Sequence, residues 1–155
     1  MKLYLDTNIV LGWFKRTMQN LRKEREFKVP AVMEFLSSKE GLDLIVSNLT
    51  EAEIIRYLIS EWNCDAEFSK DVWKQFVDRF SITYLKPDVD LDELIIACSK
   101  IPTRKRTMTN LLHLHIAKKY GLWFLTGEEN LSDRYKFYYK KIFTYKELRQ
   151  RLSPP

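Results

Sequence analysis

Four groups of polar residues stand beside short apolar runs, and each holds oxygen-bearing side chains of the kind that bind hard cations. Asp6, Thr7 and Asn8 follow the run Leu3-Tyr4-Leu5. Ser47, Asn48, Thr50, Glu51 and Glu53 close the run at residues 42–47 and open the next segment. Thr126, Glu128, Glu129 and Asn130 end the run that starts at Leu122, and Thr107, Thr109 and Asn110 begin an apolar-periodic stretch. In open α/β sheets, ligands bind outside the carboxyl ends of the strands. Carboxylates gathered there from distant parts of the chain repel one another, and a hard divalent cation relieves the repulsion. Such a site suits Mg²⁺ or Mn²⁺, which can activate water against a phosphodiester. Each group also has a capping reading. Asp6 and Asn8 suit a helix start, and Thr50-Glu51-Ala52-Glu53 and Thr126-Gly127-Glu128-Glu129 each fit a capping box.

Hydrophobic periodicity sets out the scaffold on which these residues sit. Residues 3–5 read as a short strand and residues 9–14 as a helix. Pro30 suits the first turn of a second helix, which Gly41 stops after Ser38. Residues 42–47 (LDLIVS) form a compact buried-strand candidate, and Thr50 opens a helix to about Glu61. Phe68, Val72, Trp73, Phe76 and Phe80 recur at helical spacing, and a β-like run over 81–85 ends at Pro87. Residues 91–98 are helical, and the basic segment 102–107 (PTRKRT) reads as a loop. Met108, Leu111, Leu112, His115 and Ile116 define another helix, residues 122–126 (LWFLT) a strand, and Ile142-Phe143 a last short strand before a helix at 145–152. This alternation predicts an α/β domain with a mainly parallel sheet.

The length, 155 residues, suits a single domain over 1–155. Only 4 Gly and 5 Pro, with 14% aromatics, exclude collagen-like, linker-like and disordered readings. No apolar run approaches the roughly 20 residues that span a bilayer, so no membrane association is expected. Asp6 and Asn8 interrupt any secretory signal. Cys64 and Cys98 are too few for a disulfide framework, which leaves two reduced thiols and a cytoplasmic expectation. The net charge of +5 permits nucleic-acid binding without requiring it.

Four segments resemble the motifs of one family. Tyr4-Leu5-Asp6-Thr7-Asn8-Ile9-Val10 strongly resembles the start of PIN domains, the nuclease fold of VapC-type toxins. Ser47-Asn48-Leu49-Thr50-Glu51-Ala52-Glu53 is similar to the second motif, Asn110-Leu111-Leu112-His113-Leu114-His115-Ile116-Ala117 to the third, and Leu125-Thr126-Gly127-Glu128-Glu129-Asn130-Leu131 to the fourth. They occur in the family's order and span nearly the whole chain. The resemblance implies a PIN-like αβα sandwich and a metal-dependent endoribonuclease using Mg²⁺ or Mn²⁺. Its catalytic and metal-holding residues would be Asp6, Glu53, Asn110 and Glu128, with Asn8, Thr126 and Asn130 as accessories. It also implies RNA as substrate, a homodimer and an antitoxin partner.

The chain departs from the family's pattern where acids are expected. Asn110 and Asn130 replace Asp, and Glu128 replaces a shorter Asp. An amide oxygen can ligate a hard cation but does not attract one by charge. The added methylene of Glu128 moves its carboxylate by about 1.5 Å, a displacement that can cost on the order of 10²-fold in rate. Weaker metal binding than in an all-acidic site is expected. The departures motivate an alternative, a PIN-fold module that binds RNA or protein without efficient chemistry. Glu51, Glu129 or Asp133 could compensate for the missing charge.

Other features have two readings each. His113 lies one helical turn after Asn110 and suits either a site contact or a satisfied, half-buried histidine; His115 reads as core. Arg104, Lys105 and Arg106 could hold an RNA backbone beside the acidic cluster or form an ordinary solvated loop. Residues 134–141 interleave aromatics with cations, which suits base stacking but better suits core or an interface.

Overall fold

In the computed structural model, which describes residues 1–100 and 108–153, alternation along the first strand sets the layers. Leu3 and Leu5 of β1 (Lys2–Leu5) join one core and Tyr4 joins the other, as period-two side-chain placement requires. The sheet is completed by β2 (Asp43–Ser47), β3 (Thr83–Leu85), β4 (Trp123–Thr126) and β5 (Ile142–Thr144) in the spatial order β3-β2-β1-β4-β5. Every pairing is parallel. Parallel neighbours need long crossovers. Helices α1 (Thr7–Leu21) and α2 (Ala31–Ser37) join β1 to β2, and α3 (Asn48–Trp62) and α4 (Ala66–Arg79) join β2 to β3. After β3 come α5 (Leu91–Lys100) and α6 (Met108–Lys119), then α7 (Glu129–Tyr135) between β4 and β5 and α8 (Tyr145–Leu152) after β5.

The two faces carry separate cores. Leu3, Leu5, Leu44, Val46 and Leu125 pack with residues of α1–α4 and α8 around Trp13, Phe14, Trp73 and Phe76. Tyr4, Ile45, Phe124 and Ile142 pack against Leu111, Leu114 and Ala117 of α6 and Leu131 and Tyr135 of α7. This is the expected αβα sandwich, with its sheet parallel throughout. Among the described residues, no helix is long and apolar enough to cross a membrane. Cys64 and Cys98 are both free thiols.

Several element boundaries differ from expectation. α1 continues past Phe14 because Met18, one turn on, extends the buried stripe of Ile9, Val10, Trp13 and Phe14. Pro30 is the N-cap of α2 rather than part of its first turn. α3 begins at Asn48, so Thr50 is its third residue and not its cap. α7 had no sequence signal beyond Leu131 and Tyr135. Tyr135 is buried, and the Tyr139 hydroxyl donates to the Leu122 carbonyl at 2.5 Å. Within 134–141 only Tyr135 is buried; Lys136, Tyr138 and Tyr139 are half-buried, and Arg134, Phe137, Lys140 and Lys141 are exposed.

The chain's path reverses between β1 and β4: from β1 it runs outward to β2 and β3, and from β4 outward to β5. A crevice at such a reversal is where open α/β sheets bind ligands.

Candidate active site

Register places the first acid at that reversal. Leu5 of β1 is level with Leu125 of β4, and the Asp6 N–H continues the ladder to the Leu125 carbonyl at 2.9 Å. Asp6 and Thr126 therefore leave the sheet side by side. The Thr126 hydroxyl donates to Asp6 Oδ2 at 2.7 Å and the Asn8 amide donates to the same oxygen at 2.9 Å. Asp6 occupies the N-cap position of α1, but its side chain makes no cap bond. The capping reading thus accounts for its place in the chain and not for its carboxylate. The residue is 2% exposed. Burial raises its pKa above the ordinary carboxylate value, and the charges of Glu128 and Glu53 add to the rise; His113 and Thr126 oppose it.

Asn8 and Thr126 form a clamp between the first and fourth motifs. Asn8 Oδ1 accepts from the Gly127 N–H at 2.8 Å while its amide holds Asp6. Thr126 Oγ1 accepts from the Glu128 N–H at 3.1 Å. That bond replaces the capping box expected at 126–129: the N-cap of α7 is Glu128, without a side-chain cap bond.

Glu53 comes from the second turn of α3. The capping box expected at 50–53 is displaced to Ser47, whose N–H donates to Thr50 Oγ1 at 3.4 Å, and Glu53 turns to the crevice instead. Thr7 donates its hydroxyl to Glu53 Oε2, and His113 Nε2 lies 2.7 Å from the same oxygen. Burial alone would raise the Glu53 carboxyl, but the His113 and Thr7 hydrogen bonds outweigh it, and its pKa falls below the usual value.

His113 is fully buried rather than half-buried. Its Nδ1 lies 2.8 Å from the Tyr4 hydroxyl, which lies 2.6 Å from Ser47 Oγ. Its partners are distant in sequence, and only its place on the Asn110 stripe hinted at them. His115 is buried, as expected, and among the described residues neither ring nitrogen has a hydrogen-bond partner.

Asn110, in the first turn of α6, brings its amide nitrogen 3.2 and 3.1 Å from the two carboxylate oxygens of Glu128. Asp6, Glu53, Asn110 and Glu128 therefore lie at the same end of the sheet; Asn8 and Thr126 tie Asp6 to the backbone of Gly127 and Glu128, and Thr7 and His113 hold Glu53. Asn130 is exposed, and among the described residues its side chain makes no hydrogen bond to this group. Glu51 accepts from the Tyr84 hydroxyl and is thereby committed elsewhere. Arg104, Lys105 and Arg106 lie outside the described residues.

The donor set is all oxygen and mostly anionic, which suits a hard divalent cation. The buried Asp6 carboxyl, with its pKa raised in part by two neighbouring carboxylates, has the electrostatic imbalance that such an ion relieves. Among the described residues, no three His, Cys, Asp or Glu side chains are drawn together into a ready cage. Hydrogen-bond donors hold each carboxylate instead.

No protein-family model and no curated protein matches the sequence. Solved structures do match. A chain of VapBC-1 from nontypeable Haemophilus influenzae aligns with a TM-score of 0.63 at 17% identity, over 94% of this chain and 99% of that one. A chain of VapBC2 from Rickettsia felis, bound to a DNA fragment from their promoter, aligns at 0.59 and 13% identity, over 93% and 98%. A chain of DNA-bound VapBC from Salmonella typhimurium aligns at 0.55 and 17%, over 94% and 98%. The likeness is one of fold and covers almost all of both partners: this chain has the PIN-type fold found in VapBC structures.

Proposed function

We propose that this chain is a metal-dependent endoribonuclease of the PIN type, acting as the toxin of a toxin–antitoxin pair. The observation that carries the reading is the meeting of buried Asp6 with Glu53, Glu128 and Asn110 at the carboxyl end of a parallel sheet. Asp6, Glu53 and Glu128 would hold Mg²⁺ or Mn²⁺, with Asn110 contributing a neutral oxygen once its amide turns over. The bound ion would supply a nucleophilic water and neutralise charge on the scissile phosphate. Asn8 and Thr126 keep Asp6 in place, and Thr7 and His113 keep Glu53 ionised. A net charge of +5 favours association with a polyanion such as RNA. The full-length likeness to VapBC chains supports an antitoxin as protein partner; the reading adds a homodimer in the cytoplasm.

The test is cleavage of mixed RNA by the purified chain with added Mn²⁺ or Mg²⁺, beside Asp6→Asn. The variant keeps the shape of the side chain and removes its charge. Metal-dependent cleavage should fall by at least about 10²-fold, the scale seen when a group acting on transition-state charge is removed. Cleavage by the variant at the wild-type rate would sink the assignment. Co-purification with the product of an adjacent small reading frame tests the antitoxin partner.

One observation favours a second reading. The Asn110 amide already donates to both oxygens of Glu128, so that carboxylate is engaged by a hydrogen bond rather than by an ion. A PIN-fold module of this kind binds RNA or protein without metal. It predicts salt-sensitive RNA binding unchanged by chelator and no turnover with added Mn²⁺.

A further inference from the structure

Behind Glu53 runs a buried line of side chains to which the nuclease reading gives no more than a holding role. Ser47, Tyr4 and His113 are all fully buried. Tyr4 reaches both others because Tyr4 is level with Ile45, two residues before Ser47 on the same face of the neighbouring strand. The direction of each hydrogen bond follows from counting donors. An ionised carboxylate only accepts, so the hydrogen between His113 and Glu53 sits on Nε2. Among the described residues, Tyr4 is the sole side-chain partner of Ser47 Oγ. The Ser47 hydrogen therefore goes to Tyr4 Oη; otherwise it would be buried without an acceptor. The Tyr4 hydrogen is then directed at His113 Nδ1, which accepts it and carries no hydrogen of its own. A doubly protonated ring would instead donate from Nδ1 to Tyr4 Oη.

We propose that Ser47, Tyr4 and His113 form a one-way hydrogen-bond relay that fixes His113 as its Nε2–H tautomer and makes it the positioning residue of Glu53. His113 and Thr7 both engage Oε2 of Glu53, and among the described residues no side chain donates to Oε1. The relay therefore settles which oxygen Glu53 offers to the crevice. The consequence for metal binding rests on the nuclease reading; the tautomer does not. Groups that orient a metal-binding carboxylate typically govern affinity as well as geometry.

Nitrogen NMR of the metal-free chain reads the tautomer directly. The expected pattern is a protonated Nε2 and a bare, hydrogen-bonded Nδ1 on His113, with Tyr4→Phe moving only the Nδ1 signal towards that of an unbonded nitrogen. A protonated Nδ1 overturns the relay. Calorimetric Mn²⁺ titration then tests positioning. The amide of Gln can replace the Nε2–H donor, so His113→Gln should bind Mn²⁺ as the wild type does. His113→Leu should bind about 10–100-fold more weakly. Wild-type affinity in a folded Leu variant overturns the positioning role. If the Leu variant does not fold, loss of affinity in His113→Gln overturns it instead. If the wild type binds no Mn²⁺ even with RNA present, the nuclease reading falls, and the ring-nitrogen pattern alone upholds or overturns the relay.

Discussion

The Asn110 amide nitrogen stands 3.2 and 3.1 Å from the two carboxylate oxygens of Glu128. The PIN pattern calls for an acid at each of these positions, and two acids at that separation would need a cation between them. Here an amide faces a glutamate, and the pair satisfies itself. The substitution that looks like a loss of charge in the sequence is, in the fold, the formation of a hydrogen bond.

Restoring the acid should reverse that arrangement. Asn110→Asp removes the donor and sets a second carboxylate against Glu128. Because Glu128 is exposed, water screens much of the repulsion and the cost should be about 1 kcal/mol. For a chain of this size that lowers Tm by about 2–4 °C. Mn²⁺ affinity should rise by about tenfold, since ligand charge sets cation affinity at oxygen sites, and saturating Mn²⁺ should recover the lost stability. Calorimetric titration and melting curves with and without Mn²⁺ measure both. A variant that binds Mn²⁺ no better than the wild type would show that position 110 does not face the ion.

The strands and long helices were legible in the sequence, because a compact apolar run such as residues 42–47 has few places to go but into a sheet. α7 was not: its seven residues carry only Leu131 and Tyr135 as apolar anchors, too few to show a period. The site divides in the same way. Asp6, Glu53, Asn110 and Glu128 were legible because motif order places them at strand ends and helix starts. The relay was not, because His113 meets Glu53 across 60 residues, Thr7 across 106 and Tyr4 across 109. No local spacing encodes such pairings. The capping boxes expected at 50–53 and 126–129 gave way for a related reason: Glu53 is drawn to Thr7 and His113, and the Thr126 hydroxyl is taken up by Asp6 and the Glu128 N–H. Local propensity gave way to partners supplied by the fold.

Of the four glycines, Gly127 is the one at which an added Cβ comes closest to a neighbour. A Cβ there would meet Asn8 Oδ1 at 3.0 Å and Asn8 Cγ at 3.3 Å. Asn8 is exposed and can swing aside, so Gly127→Ala should fold, at a cost of about 1 kcal/mol or a Tm drop of about 2–4 °C. In swinging, Asn8 withdraws its amide from Asp6 Oδ2, and Mn²⁺ affinity should fall by about tenfold. Asn8→Ala should weaken Mn²⁺ binding to the same degree, and adding Gly127→Ala to it should weaken binding no further, because both act through one clamp. Additive losses in the double variant would mean that the clamp is not the route.

Acid sensitivity offers a test remote from the crevice. Thr144 caps α8: its Oγ1 accepts from the Glu147 N–H at 3.3 Å, and its own N–H donates to Glu147 Oε2 at 2.7 Å. Lys136 Nζ donates to Oε1 at 2.5 Å. Burial alone would raise the Glu147 carboxyl, but the Lys136 and Thr144 bonds prevail and bring its pKa down to about 2. The unfolded chain, at about 4.3, takes up the proton first, so stability from this group is complete above roughly pH 5. It is lost as pH falls through about 4 towards about 2. Glu147→Gln removes the charge at every pH. Its Tm should lie below that of the wild type at pH 7, and the gap should close as pH falls from 5 to 2.5. Because the Lys136 and Glu147 side chains are 41% and 35% exposed, salt should narrow the neutral-pH gap as well. Comparing the two proteins cancels the acid response of Glu53, which titrates low in both. A gap that stays constant down to pH 2.5 would mean that hydrogen-bond geometry, and not the Glu147 charge, holds α8 to β5.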